Sequence, residues 1–177
     1  MGGVAAVFLF LFKFLSTEVT HMASAAYSKI VVAVDGSSTS DLALGEAIRV
    51  AVPGGATVLA VYVVDNYMPM FDAGYYDPSQ LQKAFEESGQ RALQAAAQRL
   101  AAAGVAHEAR LVSEAPVPGD IGASINEAAR QWGADLLVIG THGRRGVRRL
   151  MLGSVAEAVI RQSTMPVLLV RGEAKAD

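Results

Sequence analysis

Leu136-Leu137-Val138-Ile139-Gly140-Thr141-His142-Gly143-Arg144-Arg145-Gly146-Val147-Arg148-Arg149-Leu150-Met151-Leu152-Gly153-Ser154 is the stretch on which the fold turns. Its first four residues form an apolar run that reads as a buried strand. Beyond it, Val155-Ala156-Glu157-Ala158-Val159-Ile160 reads as a helix. A strand, a glycine-punctuated loop and a helix start are the parts of an anion cradle. Glycines let the backbone approach an anion and adopt φ > 0, and the N–H groups of a helix's first turn point outward at a ligand.

Upstream, the same alternation repeats. Lys29-Ile30-Val31-Val32-Ala33-Val34-Asp35 is β-branched and apolar on both faces, as a central parallel strand requires. Gly36-Ser37-Ser38 turns the chain, and Ser38 with Asp41 matches a helix-capping pattern. Leu44, Ala47, Ile48 and Ala51 follow at helical spacing, closed by Pro53-Gly54-Gly55. Thr57 to Val64 is a second buried strand. A long connection, Asp65 to Gln80, carries Tyr67, Phe71, Tyr75 and Tyr76. It reads either as a flexible linker or as a lid that stacks on a ligand. A helix from about Ser79 to Ala103 puts Leu81, Phe85, Ala92, Ala96 and Leu100 on one stripe.

Val105 to Val112 alternates Val105, Ala109 and Leu111 with Glu108 and Arg110, which predicts an edge strand. Ile121, Ile125, Ala128 and Trp132 mark another helix, with Trp132 expected in the core and Gly133 as its C′ residue. Val167-Leu168-Leu169-Val170 is a fifth strand. Alternating strands and helices predict a doubly wound, five-stranded parallel α/β sheet in three layers. Ligands of such sheets sit at the carboxyl ends of the strands, where strand order reverses. If strands one and four are neighbours there, Asp35 and the Gly140 loop face one crevice.

Composition restricts the function. The 177 residues are 52% hydrophobic, enough for one domain with a full core. A net charge of −2 gives no overall attraction to nucleic acid. The absence of cysteine excludes disulfides and thiol chemistry and fits a cytoplasmic protein. His21, His107 and His142 are too scattered for a histidine metal site. Residues 1–27 stand apart from the predicted domain at 28–171, and 172–177 form a polar tail. The apolar run Val4 to Phe12 is too short to span a membrane. It reads as a leader or export segment, as a docked helix, or as tag-like sequence ending in the cloning-junction look-alike His21-Met22-Ala23-Ser24.

The glycine loop is not a Walker A motif, because no Gly-Lys-Ser/Thr closes it, and it is not Gly-x-Gly-x-x-Gly. What stands is Gly140-x-x-Gly143, nine residues, then Gly153-Ser154. That spacing resembles the ATP-binding signature of the universal stress protein family. The resemblance extends to Val31–Ser37, Leu136–Gly143, Arg148–Val159 and Pro166–Arg171, in the family's order, and covers about Ser28 to Arg171. It implies a Rossmann-like fold of the adenine nucleotide alpha hydrolase type and an ATP-binding protein of stress response or signalling. It implies that Asp35 contacts the ribose and that Val63 offers backbone groups to the adenine edge. That second match is looser, since the family often has His where Tyr62 stands. Gly140 would line the ribose side, and Gly143, Gly153, Ser154 and Val155 would bind phosphates. It also implies a homodimer through Val167, Leu168, Leu169 and Val170, a bare apolar edge that invites a partner. Mg²⁺ would be held mainly by the phosphates.

Plainer readings stand beside these. Gly140, Gly143 and Gly153 also fit turns and caps, and Asp35 fits a strand-end cap. Arg144, Arg145, Arg148 and Arg149 fit either phosphate steering or a solvated surface. No general acid, base or nucleophile constellation is present, so no catalytic residue is expected. The rival functions are a slow ATPase or nucleotidyl transferase on the same fold, with Asp35 and Asp65 as the only carboxylates for it, and an interaction module that binds no nucleotide.

Overall fold

Ile30, Val31 and Val32 are each fully buried, although neighbours along a strand point to opposite faces. Only a strand covered on both sides permits this, and β1 (Lys29–Ala33) is such a strand. The computed structural model describes residues 27–65, 78–113, 119–143 and 152–172. The leader, the aromatic connection with Tyr67, Phe71, Tyr75 and Tyr76, the four arginines of the glycine loop and the tail from 173 lie outside the described residues.

The described elements run β1, α1 (Ser38–Gly54), β2 (Thr57–Val63), α2 (Pro78–Ala102), β3 (His107–Val112), α3 (Ile121–Trp132), β4 (Leu136–Gly140), α4 (Ser154–Gln162) and β5 (Val167–Val170). The five strands form one sheet in the order β3-β2-β1-β4-β5, with every pairing parallel. The chain builds outward from β1 to β3, then returns to the other side of β1. Strand order therefore reverses between β1 and β4, which pair through Ile30–Leu136, Val31–Leu137 and Val32–Val138.

Alternate strand residues feed two cores. Ile30, Val32, Val58, Ala60 and Val138 pack with Ala43, Leu44 and Ala47 of α1 and Leu93, Ala96 and Leu100 of α2. Val31, Leu59, Val61, Leu137 and Ile139 pack with Ile125, Ala128 and Ala129 of α3 and Ala156 and Val159 of α4. Each such valine, leucine or isoleucine side chain contributes about 1.5–3 kcal/mol on full burial. These two faces give the three layers.

Details depart from the sequence reading. The cap of α1 is Ser37, not Ser38: its Oγ accepts from the Ser40 N–H at 3.2 Å. Its own N–H donates to Asp35 Oδ1 at 2.9 Å, which fixes the turn one residue earlier. Pro53 lies inside the last turn of α1, and Gly55, at φ 65°, ends the helix. On β3 the alternation is incomplete, because Ala109 is exposed while Arg110 is half-buried. As the outer strand, β3 has a neighbour on one side only.

Trp132 is half-buried rather than enclosed. Its indole N–H donates to Glu108 Oε1 at 3.0 Å, and the Lys29 ammonium sits 4.7 Å from the ring centroid. That arrangement gives an aromatic ring with a polar handle a rim position. Gly133 ends α3 as expected, at φ 74° with its N–H on Ala129 and Arg130 carbonyls.

One carboxylate ties the start of β1 to the approach to β4. Asp135 accepts from the Ser28 N–H and hydroxyl, both at 2.7 Å, and from the Lys29 N–H at 3.0 Å. Burial pushes its pKa up, but these hydrogen bonds outweigh burial and hold it below the ordinary carboxylate value. A depressed folded pKa contributes stability above the unfolded value of about 3.9 and loses it as pH falls through the folded value. The group is largely exposed, so the contribution is small. An Asp135→Asn variant should therefore melt slightly lower than the parent at pH 7, and the gap should close below about pH 4. Melting curves from pH 3 to 8, on the order of one per pH unit, check this; a gap independent of pH contradicts it.

Candidate functional site

Strand order reverses between β1 and β4, the place where sheets of this kind form a ligand crevice, and Asp35, Gly140, Gly143 and Gly153 lie at or just beyond the carboxyl ends of those strands. Asp35 follows β1, and its Oδ1 takes the Ser37 N–H. The strand-end reading of Asp35 is thus correct for one oxygen. The other faces the glycine loop: a Cβ placed on Gly143 would lie 2.6 Å from Asp35 Oδ2. Asp35 and Gly143 are therefore brought into direct proximity across the switch point.

The glycines serve space, not handedness. The positive-φ glycines among the described residues are Gly36, Gly55, Gly104, Gly119 and Gly133, so of the two uses of glycine, Gly140, Gly143 and Gly153 serve close approach and not a left-handed backbone. Each of the three instead stands where a methyl would collide. On Gly140 it would lie 2.7 Å from Thr39 Cγ2, and on Gly153 2.9 Å from the Thr141 carbonyl oxygen. Gly140 lets the first turn of α1 press against the end of β4, a packing role that holds whatever binds above it.

Gly153, at φ −64° and ψ 146°, is the N-cap of α4 and offers no side chain to its first turn. The other two helices with described caps differ. Ser37 caps α1, and Asp120 caps α3 by accepting the Ala123 N–H at 2.8 Å. The Asp120 pKa is lowered, chiefly by that backbone hydrogen bond and then by the one from Gln162. In α4 the Glu157 N–H returns to the Gly153 carbonyl at 2.9 Å. No cap side chain takes the Ser154, Val155 or Ala156 N–H groups, and Ser154 is exposed. An uncapped first turn carries unsatisfied donors and the positive end of the helix dipole.

Val63 closes β2. β1–β2 pairing ends at Ala33–Val61, with a last bond from the Val34 N–H to the Val61 carbonyl at 2.9 Å. Ladder alternation turns the Val63 N–H and C=O to the same side, beyond that last bond. Its side chain, like those of Val112, Ile121 and Val155, is partly buried against the core beneath α3 and α4. The carboxyl end of β2 thus offers backbone polar groups beside an apolar surface, and the sequence signal for Val112 and Ile121 was only their apolar periodicity.

Sequence reasoning missed two residues here. Thr39 wedges between Gly140 and Gly172, with Oγ1 2.7 Å from where a Gly172 Cβ would stand. Thr141 donates its N–H to the Val170 carbonyl and accepts the Gly153 N–H, both at 2.8 Å. Nothing in the sequence distinguished either from an ordinary loop or helix threonine. His142, whose Nδ1 lies 3.0 Å from Thr141 Oγ1, buries an Nε2 with no partner among the described residues. No three His, Asp or Glu residues among those described converge as metal ligands. A separate hollow of about 510 Å³ lies between α3 and the turn into β5, lined by Asn126, Arg130 and Met165 among others, and holds none of these residues.

Fold and crevice define a class: a doubly wound parallel α/β domain whose switch point joins a carboxylate, a close-approach glycine and an uncapped helix start. The universal stress protein family profile matches residues 26–171, and the chain belongs to that family. A universal stress protein of Methanocaldococcus jannaschii is 35% identical over 147 residues, 82% of each chain. A crystal structure of a family member from Burkholderia pseudomallei is 42% identical, covers 81% of this chain and 96% of its own, and superposes with a TM-score of 0.65. A universal stress protein solved in complex with cAMP is 30% identical, covers 82% of this chain and 98% of its own, and has a TM-score of 0.58. Among the described residues no helix is long and apolar enough to cross a membrane.

Proposed function

We propose that this protein binds ATP in the β1–β4 crevice and acts as a nucleotide-dependent switch rather than as an enzyme. The observation that carries the reading is the pairing of Gly143 with Asp35 across the crevice, 2.6 Å from the virtual Cβ to Oδ2. It brings a carboxylate that suits ribose hydroxyls against a loop glycine that has no side chain to push it away, which supports the reading. The relative solved with cAMP supports an adenine nucleotide as the ligand class.

In this reading Val63 presents N–H and C=O to the adenine edge, while Val112 and Ile121 floor the base. Asp35 accepts from the ribose, with Gly140 beneath it. Gly143 admits the phosphate chain, and the Ser154 hydroxyl with the Ser154 and Val155 N–H groups receives it. Mg²⁺, where present, is held by the phosphates and water, since it keeps several waters and takes few protein ligands.

A pairing role for β5 fits the two sheet edges. β3 carries Glu108 and Arg110 on its edge, whereas β5 is Val167-Leu168-Leu169-Val170, with Leu169 exposed. Charges protect an edge and a bare apolar edge recruits a partner, so β5 is the side through which two copies pair. Calorimetric titration with ATP, ADP, AMP, cAMP and adenosine tests the nucleotide reading. Heat of binding for the phosphorylated ligands, with adenosine weaker, is expected. No heat with any of them overturns it.

A further inference from the structure

We propose that nucleotide occupancy and pairing through β5 are thermodynamically linked, with Thr141 as the backbone connector between them. The inference rests on the nucleotide reading above and on pairing through β5. It adds the regulation of that site.

Both backbone groups of Thr141 are committed, in opposite directions. Its C=O takes the Gly153 N–H, the cap of α4, at 2.8 Å, and its N–H goes to the Val170 C=O, the end of β5, at 2.8 Å. The helix start that would receive phosphate and the strand edge that would receive a second copy are thus two hydrogen bonds apart. A second contact runs parallel to the first. Thr39 fills the space left by the missing side chains of Gly140, at the floor of the crevice, and Gly172, just past β5. The end of β5 is therefore held from two sides by residues of the site.

The ladder shows what is held. The Pro166 and Val170 carbonyls both face β4, accepting from the Leu137 and Thr141 N–H groups at 3.0 and 2.8 Å. Alternation then turns the Val167, Leu169 and Arg171 backbone groups to the outer edge. An ordered Thr141 fixes Val170, and a fixed Val170 presents its neighbours on either side to an incoming strand. Phosphate bound at the first turn of α4 immobilises Gly153 and, through it, Thr141. The ordering entropy that pairing would otherwise cost is then already spent. Linkage makes the effect reciprocal, so pairing tightens nucleotide binding by the same factor.

Sedimentation of the full chain, without ligand, with saturating Mg·ATP and with saturating adenosine, tests this. The expected result is a dimer dissociation constant lowered at least about fivefold by ATP and unchanged by adenosine, which leaves the phosphate cradle empty. In Gly172→Ala, where the new Cβ would stand 2.7 Å from Thr39 Oγ1, the ATP effect should shrink toward onefold while ATP still binds. A parent protein that binds ATP and dimerises with the same constant with and without it overturns the linkage alone. An equal effect of adenosine overturns the phosphate route. Failure to bind ATP at all, read by calorimetry on the same sample, overturns the nucleotide reading and the linkage with it. A monomer under every condition overturns pairing and linkage together.

Discussion

Replacing Gly143 with valine should weaken ATP binding roughly 5- to 150-fold while leaving the fold intact. The position is exposed, so the fold does not need the space. The first atom added, Cβ, would lie 2.6 Å from Asp35 Oδ2, and atoms in contact ordinarily stand about 3.5 Å or more apart. Asp35 must move, yet its Oδ1 is fixed by the Ser37 N–H at 2.9 Å. Breaking that hydrogen bond, or losing the ribose contact instead, costs about 1–3 kcal/mol, which sets the range of affinity loss. Gly143→Ala carries the same offending atom and should show most of the effect. Calorimetry with ATP, alongside circular dichroism and melting, checks it. Wild-type affinity in both variants would mean that the ligand depends on neither the Asp35 carboxylate nor the Gly143 backbone.

The second large effect is on stability and comes from a glycine that no motif marks. Gly122, in the first turn of α3, is where α3 and α4 meet. A Cβ there would lie 2.6 Å from Ala158 Cβ and 3.2 Å from the Ala158 carbonyl carbon and Val159 nitrogen. Two of those three atoms are backbone and cannot rotate away. Gly→Ala inside an exposed helix normally stabilises by about 1 kcal/mol. Here the sign reverses, because α4 must be displaced from a fully packed contact, at a cost of about 1–3 kcal/mol. Set against that gain, the net loss is up to about 2 kcal/mol, so Gly122→Ala should melt lower than the parent by up to about 8 °C. Adding Ala158→Gly should recover part of the loss, since one of the three close contacts is a side-chain methyl. A Gly122→Ala protein that melts at or above the parent temperature refutes the packing argument. Because α4 carries the candidate phosphate groups at its other end, the single variant should also bind ATP more weakly.

Sheet and crevice were legible because burial on both faces leaves continuous apolar runs. Ile30–Val32 and Leu136–Ile139 could only be central strands, and the charges at Glu108 and Arg110 could only suit an edge. Finer matters were not legible, for physical reasons. Ser37, Ser38, Thr39 and Ser40 are all capable caps, and the choice fell to Ser37 because the Asp35 carboxylate holds its N–H. A glycine in sequence does not say whether it serves a positive φ or a close neighbour. Gly133 serves the first, whereas Gly140, Gly143 and Gly153 serve the second. Asp35 and Gly143 were expected in one crevice, and they are brought there by β1 and β4 lying side by side. Thr39 and Thr141 stayed invisible because one acts by wedging and the other through its backbone, neither of which leaves a pattern in residue type.

The unequal borders of the sheet would also limit how many molecules could join through the proposed β5 pairing. A sheet with two receptive borders could add copies without end, each new strand exposing another, and would grow into a fibre. Here the β3 border carries Arg110 and Glu108, the latter hydrogen-bonded to the Trp132 indole, whereas the β5 border is the apolar Val167-Leu168-Leu169-Val170. If two copies pair through β5 as proposed, union about a two-fold axis would use the apolar border of both molecules at once and leave the charged ones outward. In such a pair, growth by strand addition would terminate at two, and the apolar strand would be kept from becoming a seed for aggregation.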